Sequence, residues 1–222
     1  MEKIKLDLVD RKILAELDKN CRISDTSLGK KVNKSRETIK YRIQQLQKKG
    51  VIEKFITSIN PNKLGFYMFK VYLKLENIPK EREKLFNYLK ENKDIYWFGI
   101  CDGAFDCTFA ILSKRIPKYF EKINTLLSKW EHLIVSKVLG TMVDTRQFNK
   151  KFFTDDKDGK YVTFGGDVID NKINELDYKI LNIMANDARI PITKLSKKVK
   201  STIEIVRGKI KKLEEKGIIL NY

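Results

Sequence analysis

Residues 35–52 of the chain read SRETIKYRIQQLQKKGVI, and this stretch indicates the fold of the segment around it. Ser35 has the hydroxyl side chain that caps helix N-termini, and a glycine near the end of the stretch is typical of a helix C-terminus. Ile39, Ile43 and Leu46 follow at three- and four-residue spacing, which places them on one face of a helix. The stretch therefore predicts an amphipathic helix whose outward face carries long polar side chains.

Two shorter helical patterns precede this helix, and an extended pattern follows it. Asp7 and Asp10 predict the capped start of a first helix, and residues 22–24 open a short second one. An extended stretch begins at Val51 and runs to about Ile59. Three short helices and a strand form a tri-helical core with a wing, in which the third helix enters the DNA major groove.

The end of the chain repeats its beginning. Residues 8–55 align without a gap with residues 175–222 when the chain is shifted by 167 positions, and 17 of the 48 aligned residues are identical. In the third helix of the second copy, Ile203 and Ile205 stand at the repeat positions of Arg36 and Thr38. The sequence therefore predicts a duplicated winged module whose second copy differs from the first on its outward face.

The segment between the two copies alternates strand and helix patterns in the order β-α-β-β-α-β. This order predicts a split βαβ, ferredoxin-like αβ sandwich. A further hairpin is predicted around the Asp158-Gly159 turn, and the glycines that follow it are typical of a linker. The predicted strands are 66–75, 95–101, 106–112 and 134–143, and the predicted helices are 81–91 and 116–129.

Composition limits the partners and the chemistry of the chain. It has 46 basic and 29 acidic residues, a net charge of +17 that favours a polyanion as partner, with a lysine-rich proteome as the alternative explanation. One histidine and three cysteines without a CxxC pair predict no metal site, no cofactor and no catalytic machinery. No signal peptide or membrane span is apparent in the sequence, so we expect no membrane partner and a cytoplasmic, nucleoid-associated protein.

These motifs resemble those of the Lrp/AsnC (feast/famine) family of bacterial and archaeal transcription regulators. The family pattern Leu-Asp-x-x-Asp-x-x-Ile-Leu stands at residues 6–14, Asn-x-Arg-Ile-Ser at 20–24, and Ser-x-x-Thr-Val-x-x-Arg-Ile at 35–43, with Ile39 in place of valine. The family's Gly-x-Tyr/Phe-Asp turn is similar to residues 103–106. The chain departs from the family by its second winged module and by the segment before it.

The resemblance implies an α+β chain that binds double-stranded DNA as a homodimer or higher oligomer and responds to a small amino-acid-like effector. The predicted domains are a winged helix-turn-helix (1–59), a ferredoxin-like dimerisation and effector domain (60–150), a hairpin and linker (151–172) and a second winged helix-turn-helix (173–222). Two alternatives are an architectural DNA-bundling protein and an enzyme similar to siroheme decarboxylases. Residues 96–101 lack the histidine expected of such an enzyme.

Outward-facing residues of the third helix are the predicted DNA contacts. We expect Arg36, Tyr41 and Gln44 to contact base edges, and Lys34, Lys40 and Lys48 to contact phosphates. Arg42 has two open roles, a phosphate contact or an ion pair to a neighbouring helix. The remaining predicted contacts are Ser35, Glu37 and Thr38.

The second module and the central turn carry weaker predictions. The second module either adds non-specific DNA affinity or docks on another subunit through Ile203 and Ile205. By family position, residues 101–106 are the effector site, with a tight turn around a structural glycine as the alternative. The residues named are Lys200, Thr202, Arg207, Lys209 and Lys211 for DNA, and Cys101, Asp102, Gly103, Ala104, Phe105 and Asp106 for the effector.

Overall fold

The computed structural model describes residues 4–148, 150, 152–154 and 161–222. The chain divides into two compact units. The first, which we call the helical unit, comprises Met1–Asn60, Arg146–Phe164 and Ile173–Tyr222. The second, the sandwich unit, comprises Pro61–Thr145 and Gly165–Lys172. Both copies of the sequence repeat therefore lie in the helical unit.

Helices and strands follow the order that the sequence predicts. The mixed helix and sheet content confirms the α+β fold class. The helices are α1 (Leu8–Lys19), α2 (Asp25–Val32), α3 (Arg36–Lys48), α4 (Pro79–Glu91), α5 (Ile116–Leu127), α6 (Glu175–Asn186), α7 (Ile192–Lys198) and α8 (Ile203–Glu215). The strands are β1 (Ser58–Ile59), β2 (Tyr67–Leu75), β3 (Ile95–Ile100), β4 (Cys107–Ser113), β5 (Ile134–Met142), β6 (Asp144–Phe148), β7 (Tyr161–Gly165) and β8 (Ile219–Asn221).

The first copy folds as a tri-helical core made by α1, α2 and α3. The α1 N-terminus is a capping box, in which the Asp7 carboxylate accepts from the Asp10 backbone N–H at 2.8 Å. α2 ends at Val32, and its C-cap Asn33 has a positive φ of 55° that turns the chain toward α3. Ile13, Leu28 and Ile39, one from each helix, are completely buried together. Short-range capping and apolar spacing thus suffice to form the three helices.

The second copy repeats these local devices in α6, α7 and α8. Asn174 and Asp177 form the capping box of α6, with the amide oxygen of Asn174 accepting from the Asp177 N–H at 3.0 Å. Lys200, with φ of 53°, takes the left-handed conformation that Asn33 has in the first copy. The Thr202 hydroxyl caps α8. The duplication seen in the sequence is therefore a duplication of fold.

The wing differs from its prediction. Of the extended stretch expected over 51–59, only Ser58–Ile59 forms a strand. This strand pairs antiparallel with β8 of the second copy, with Ser58 opposite Asn221 and Ile59 opposite Ile219. The sequence pattern therefore predicts extended backbone in this stretch but not which part of it forms a strand. That part is the one that pairs with β8.

The sandwich unit has one four-stranded antiparallel sheet in the order β3-β4-β2-β5. This is the ferredoxin-like order, since the first and third strands of the βαββαβ unit lie in the centre. α4 and α5 cover one face, where Val71, Phe109 and Ile123 belong to the apolar core. The predicted strands and helices of residues 66–143 are all present, with each end within two residues of its predicted position.

β6 and β7 form a separate two-stranded sheet. The predicted Asp158-Gly159 turn lies outside the described residues. None of the helices in the described ranges is long and apolar enough to cross a membrane.

Candidate nucleic-acid interface

α3 is anchored from behind and capped at its start. The Ser35 hydroxyl oxygen accepts from the Thr38 backbone N–H at 3.1 Å, and the two hydroxyl oxygens lie 2.9 Å apart. Ile39, Ile43 and Leu46 are buried in the core of the first module. A helix that is held on one side in this way presents a defined opposite side to any ligand.

The opposite side of α3 and the residue before its cap are exposed. Tyr41 exposes 61% of its surface, which is unusual for an aromatic ring and leaves both the ring and the hydroxyl accessible. Glu37 lies in the first turn, where a carboxylate complements the helix dipole. Within the described part of the chain, no side-chain hydrogen bond or ion pair engages the other exposed members of this face. They are Lys34, Arg36, Lys40, Gln44 and Lys48.

Arg42 forms ion pairs with the start of α1, which is one of the two roles that the sequence allows for it. Its Nη1 atom lies 2.7 Å from Asp7 Oδ2 and 2.8 Å from Asp10 Oδ1. These hydrogen bonds raise the pKa of the guanidinium. The pKa of Asp7 is lowered, first by the hydrogen bond from the Asp10 backbone and then by Arg42. Arg42 therefore joins α3 to the N-terminus of α1 and fixes the angle between them.

The second module repeats this ion pair with other residues. Lys209 Nζ lies 3.1 Å from Asp177 Oδ1, and both residues are the repeat partners of Arg42 and Asp10. The side chain of Lys209 is three-quarters buried. Of the five DNA contacts predicted for this module, Lys209 thus has a structural partner within its own module. The exposed ones are Lys200, Thr202, Arg207 and Lys211.

The outward face of α8 is cationic and partly apolar. Ile205 exposes 49% of its surface, and Ile203 is half-buried. Gly208 stands at the repeat position of Tyr41, and the space beside its Cα is open. At the repeat positions of Arg36, Tyr41 and Gln44 this face has Ile203, Gly208 and Lys211, so it lacks the ring and the amide of α3. Its exposed guanidinium, that of Arg207, stands at the repeat position of Lys40.

Both modules carry positive charge overall. Residues 1–59 contain 15 basic and 8 acidic residues, and residues 173–222 contain 11 basic and 6 acidic residues. The net charges are therefore +7 and +5. Such a surplus attracts the phosphate backbone of nucleic acid independently of base sequence.

In the sandwich unit, the predicted effector turn is held by its own aspartate. The Asp106 carboxylate accepts from the Leu75 N–H at 2.8 Å and lies 3.2 Å from Arg82 Nη1 and 3.4 Å from Lys74 Nζ. Burial alone would raise the pKa of Asp106, but the Leu75 hydrogen bond and the charges of Arg82 and Lys74 lower it. The carboxylate is therefore neutralised inside the unit.

The rest of the turn is exposed, apart from the Phe105 ring, which lies 5.4 Å from that of Tyr72. Gly103 has a φ of 127° that favours glycine, and its carbonyl accepts from Lys74 Nζ at 3.1 Å. These contacts form a tight turn around a structural glycine, and the effector role of residues 101–106 stays a prediction. Cys101, Asp102, Gly103 and Ala104 are the exposed members.

Sequence reasoning missed a set of residues at which the two modules contact each other. Arg22 lies over the ring of Tyr222, and Arg189 lies over the ring of Phe55. The signal was present, since the Arg-Ile pair at 22–23 recurs at 189–190. The sequence shows this pair only as a repeated fold motif, because contacts between distant segments are not visible in the spacing of residues.

Within the described residues, no group of three or more His, Cys, Asp or Glu side chains could hold a metal ion. The exposed cations of α3 and α8 form surfaces that attract a polyanion. A family model described as winged helix-turn-helix DNA-binding matches residues 6–53 and again residues 173–219. The chain is therefore a winged helix-turn-helix protein with two such modules.

Similar proteins of known name indicate the functional class of the chain. The HTH-type transcriptional regulator Ptr1 of Methanocaldococcus jannaschii is 35% identical over 111 residues, which cover 50% of this chain and 74% of that protein. A second HTH-type transcriptional regulator, PH0140 of Pyrococcus horikoshii, is 30% identical over 116 residues, or 52% of this chain and 73% of the relative. Both names are those of regulators and not of enzymes.

Solved structures share the fold. The crystal structure of PH0061, a regulator from Pyrococcus horikoshii, superposes with a TM-score of 0.60 at 24% identity and covers 66% of this chain and 99% of that one. AsnC of E. coli gives a TM-score of 0.55 at 19% identity, covering 63% and 93%. The chain belongs to the Lrp/AsnC family of transcription regulators, and it carries an additional winged module at its C-terminal end.

Proposed function

We propose that this regulator recognises a specific DNA sequence through the exposed face of α3. The observation that carries the proposal is the contrast between the two faces of this helix. Its apolar face is buried and its Arg42 is tied to α1, while the long polar side chains of the other face have no partner within the described residues. A rigid helix with unpaired donors fits the major groove, where base edges and phosphates supply acceptors.

Side-chain chemistry divides the face into two roles. The planar guanidinium of Arg36 fits the two acceptors of guanine, and the amide of Gln44 fits adenine. Tyr41 adds a ring and a hydroxyl between them. Lys34, Lys40 and Lys48 carry compact charges on flexible stems, which suit phosphate oxygens better than bidentate base contacts.

The test compares Arg36→Ala with Arg11→Ala, which removes an exposed arginine on α1 outside this face. We expect Arg36→Ala to lower the ratio of affinities for a selected DNA site and random DNA at fixed salt, and Arg11→Ala to leave that ratio unchanged. Selection of bound genomic fragments would supply the site. A wild-type ratio near one would reject sequence-specific regulation in favour of architectural DNA bundling.

Homodimerisation through the open face of the sandwich sheet is the second part of the proposal. Trp97, Tyr72 and Val138 lie on the sheet face opposite α4 and α5, and Trp97 and Val138 expose 46% and 48% of their surfaces. Apolar side chains on an exposed sheet face favour a partner of the same kind. We expect Val138→Asp to convert the dimer to a monomer in analytical ultracentrifugation. An unchanged sedimentation mass would place the dimer contact elsewhere.

An amino-acid effector is the third part. A solved structure of the Neisseria meningitidis regulator NMB0573 in complex with L-Met shares this fold, with a TM-score of 0.55 at 20% identity. In this chain, a cleft of about 400 Å³ next to the 101–106 turn has Arg82, Glu83 and Ile100 in its lining, which offers charges of both signs and an apolar surface. Calorimetric titration with a panel of amino acids tests this part, and the absence of heat with every member would reject it.

A further inference from the structure

Inside the helical unit, the two modules contact each other through backbone hydrogen bonds that the repeat exchanges. The Cys21 N–H donates to the Tyr222 carbonyl at 3.0 Å, and the Ala188 N–H donates to the Phe55 carbonyl at 2.8 Å. In the alignment of the two copies, Cys21 corresponds to Ala188 and Phe55 to Tyr222. Exchanging the copies therefore converts one hydrogen bond into the other.

Contacts between an arginine and an aromatic ring are also interchanged when the two copies of the repeat are exchanged. The Arg22 guanidinium lies 5.4 Å from the centre of the Tyr222 ring, and the Arg189 guanidinium lies 5.2 Å from the centre of the Phe55 ring. Arg22 and Arg189 are repeat partners. Two kinds of interaction that are exchanged by one operation define a pseudo-two-fold relation, which is the property of an isologous interface between identical subunits.

We infer that the two winged modules of each chain form an internal isologous pair, in which the second module occupies the surface through which the first module would accept another copy of itself. The partner that this surface fits is thus a module of its own type, supplied by the same chain. One chain then contains the paired arrangement that otherwise requires two subunits.

Further contacts join the two modules. The Thr57 hydroxyl donates to the Met184 carbonyl at 2.7 Å in a buried position, and Arg189 Nη2 lies 2.6 Å from Asp25 Oδ1. Ala188 is completely buried and belongs to the same apolar cluster as Leu28 of the first module. These contacts lie beside the exchanged ones, so the first module has no open copy of this surface for a second chain.

The pair has a consequence for DNA, which rests on the proposed function. α3 and α8 belong to one unit, so a DNA molecule that reaches both helices would contact the cations of α8 without a further loss of orientational freedom. Arg207 and Lys211 are exposed on α8 and suit phosphates. The pair therefore combines a helix that reads bases with a helix that adds electrostatic affinity.

Amide hydrogen exchange in the full chain tests the pair without DNA. Arg189→Leu removes both the ring contact with Phe55 and the ion pair with Asp25, and we expect the Cys21 amide in the other module to exchange roughly 2- to 30-fold faster. The control variant is Arg11→Leu, and the control amide is that of Leu75 in the sandwich unit. Thr57→Val, which keeps the side-chain shape, should give a smaller change in the same direction. If the Cys21 amide exchanges at the wild-type rate in both Arg189→Leu and Thr57→Val, the inference that the two modules form a pair is wrong.

DNA binding tests its consequence. Ala188→Glu places a carboxylate in the buried contact and opens the pair, whereas Asn182→Glu adds the same charge at an exposed position of α6. We expect the first variant to weaken DNA binding about tenfold and to flatten the plot of log K against log salt, and the second to do neither. Circular dichroism verifies that both variants keep their helices.

The outcomes separate the two proposals. If the wild-type chain binds no DNA, the proposed function fails, while hydrogen exchange at Cys21 still decides whether the modules pair. A second outcome is that Arg189→Leu speeds exchange of the Cys21 amide, while Ala188→Glu leaves the DNA affinity and the slope of log K against log salt unchanged. The two modules then form a pair, but the pair does not contribute to DNA binding.

Discussion

Set side by side, α3 and α8 begin with the same kind of cap, a Ser or Thr hydroxyl, and bury the same three repeat positions. Each is also tied to the first helix of its module by one cation, Arg42 in the first copy and Lys209 in the second. They differ on their outward sides. The outward pairs that differ in chemistry are Arg36 and Ile203, Thr38 and Ile205, Tyr41 and Gly208, and Gln44 and Lys211.

This comparison separates two constraints on one helix. The inward side must fill a core of fixed volume, so both copies keep aliphatic residues there. The outward side is constrained only by what it binds. α8 has cations on its outward side but lacks the tyrosine ring and the amide of α3, a composition that favours contact with the phosphate backbone.

The largest expected effect concerns the shared inward side. Ile39 is completely buried, and Ile39→Ala should lower the free energy of unfolding by about 2–5 kcal/mol because it leaves a cavity in the core. Val206→Ala, at the repeat position, removes fewer methyl groups and should cost less. Chemical denaturation followed by circular dichroism measures both. Equal stability of Ile39→Ala and wild type would contradict the description of this face.

A smaller effect is expected on the outward side of the first module. Arg36→Ala should cost about 1–3 kcal/mol for the cognate DNA site and relax the base preference at one position. Its repeat counterpart Ile203→Ala should leave the preference unchanged, because an aliphatic side chain makes no bidentate base contact. Binding-site selection with each variant measures the preference. A change caused by Ile203→Ala would show that α8 reads bases.

The two copies should respond alike where both keep a cation. Lys40 and Arg207 are repeat partners, and both are exposed. Lys40→Ala and Arg207→Ala should each weaken binding to all DNA and reduce the salt slope by about one. Titrations at several salt concentrations measure the slope. If only Lys40→Ala alters it, the second module does not contact phosphates.

Gly208 offers a stabilising change. It lies inside α8 with open space beside it, so Gly208→Ala should raise the free energy of unfolding by about 0.5–1 kcal/mol. The reverse comparison, Tyr41→Gly in α3, should lower it by a similar amount. Thermal denaturation of the two variants checks the opposite signs. A destabilised Gly208→Ala would indicate that α8 is held by a contact that a methyl group disturbs.

The smallest expected effect is a difference between the two capping boxes in how their contribution to stability depends on pH. Asp7 has a lowered pKa, so it contributes stability above its ordinary value of 3.8, and that contribution is lost as the pH falls through the lower folded value. Its repeat counterpart Asn174 does not titrate. Asp7→Asn should therefore weaken the pH dependence of unfolding below about pH 4. An identical acid-unfolding curve for Asp7→Asn and wild type would show that this carboxylate does not contribute.

Much of the fold could be predicted because its signals are local. The caps at Asp7, Ser35 and Asn174, and the apolar spacing behind each helix, act over three or four residues and are visible in the sequence. The same holds for the strand and helix order of the sandwich unit. The exposed face of α3 was also predictable, since the positions between the buried ones must point outward.

The remaining features depend on contacts between distant segments. Asp106 was predicted as a ligand contact, and the structure shows its carboxylate held by Leu75, Arg82 and Lys74. The sequence does not reveal the roles of Arg22 and Arg189, because their ring partners Tyr222 and Phe55 lie in the opposite copy of the repeat.

The sequence alone predicts two tri-helical modules, one before and one after a βαββαβ domain along the chain, because helix caps and apolar periodicity are short-range. The pairing of β1 with β8, and the contacts of the two modules at Phe55 and Tyr222, are visible in the folded chain and not in the sequence. Backbone donors and acceptors are the same in every strand, so residue spacing cannot specify which distant edge a strand will join.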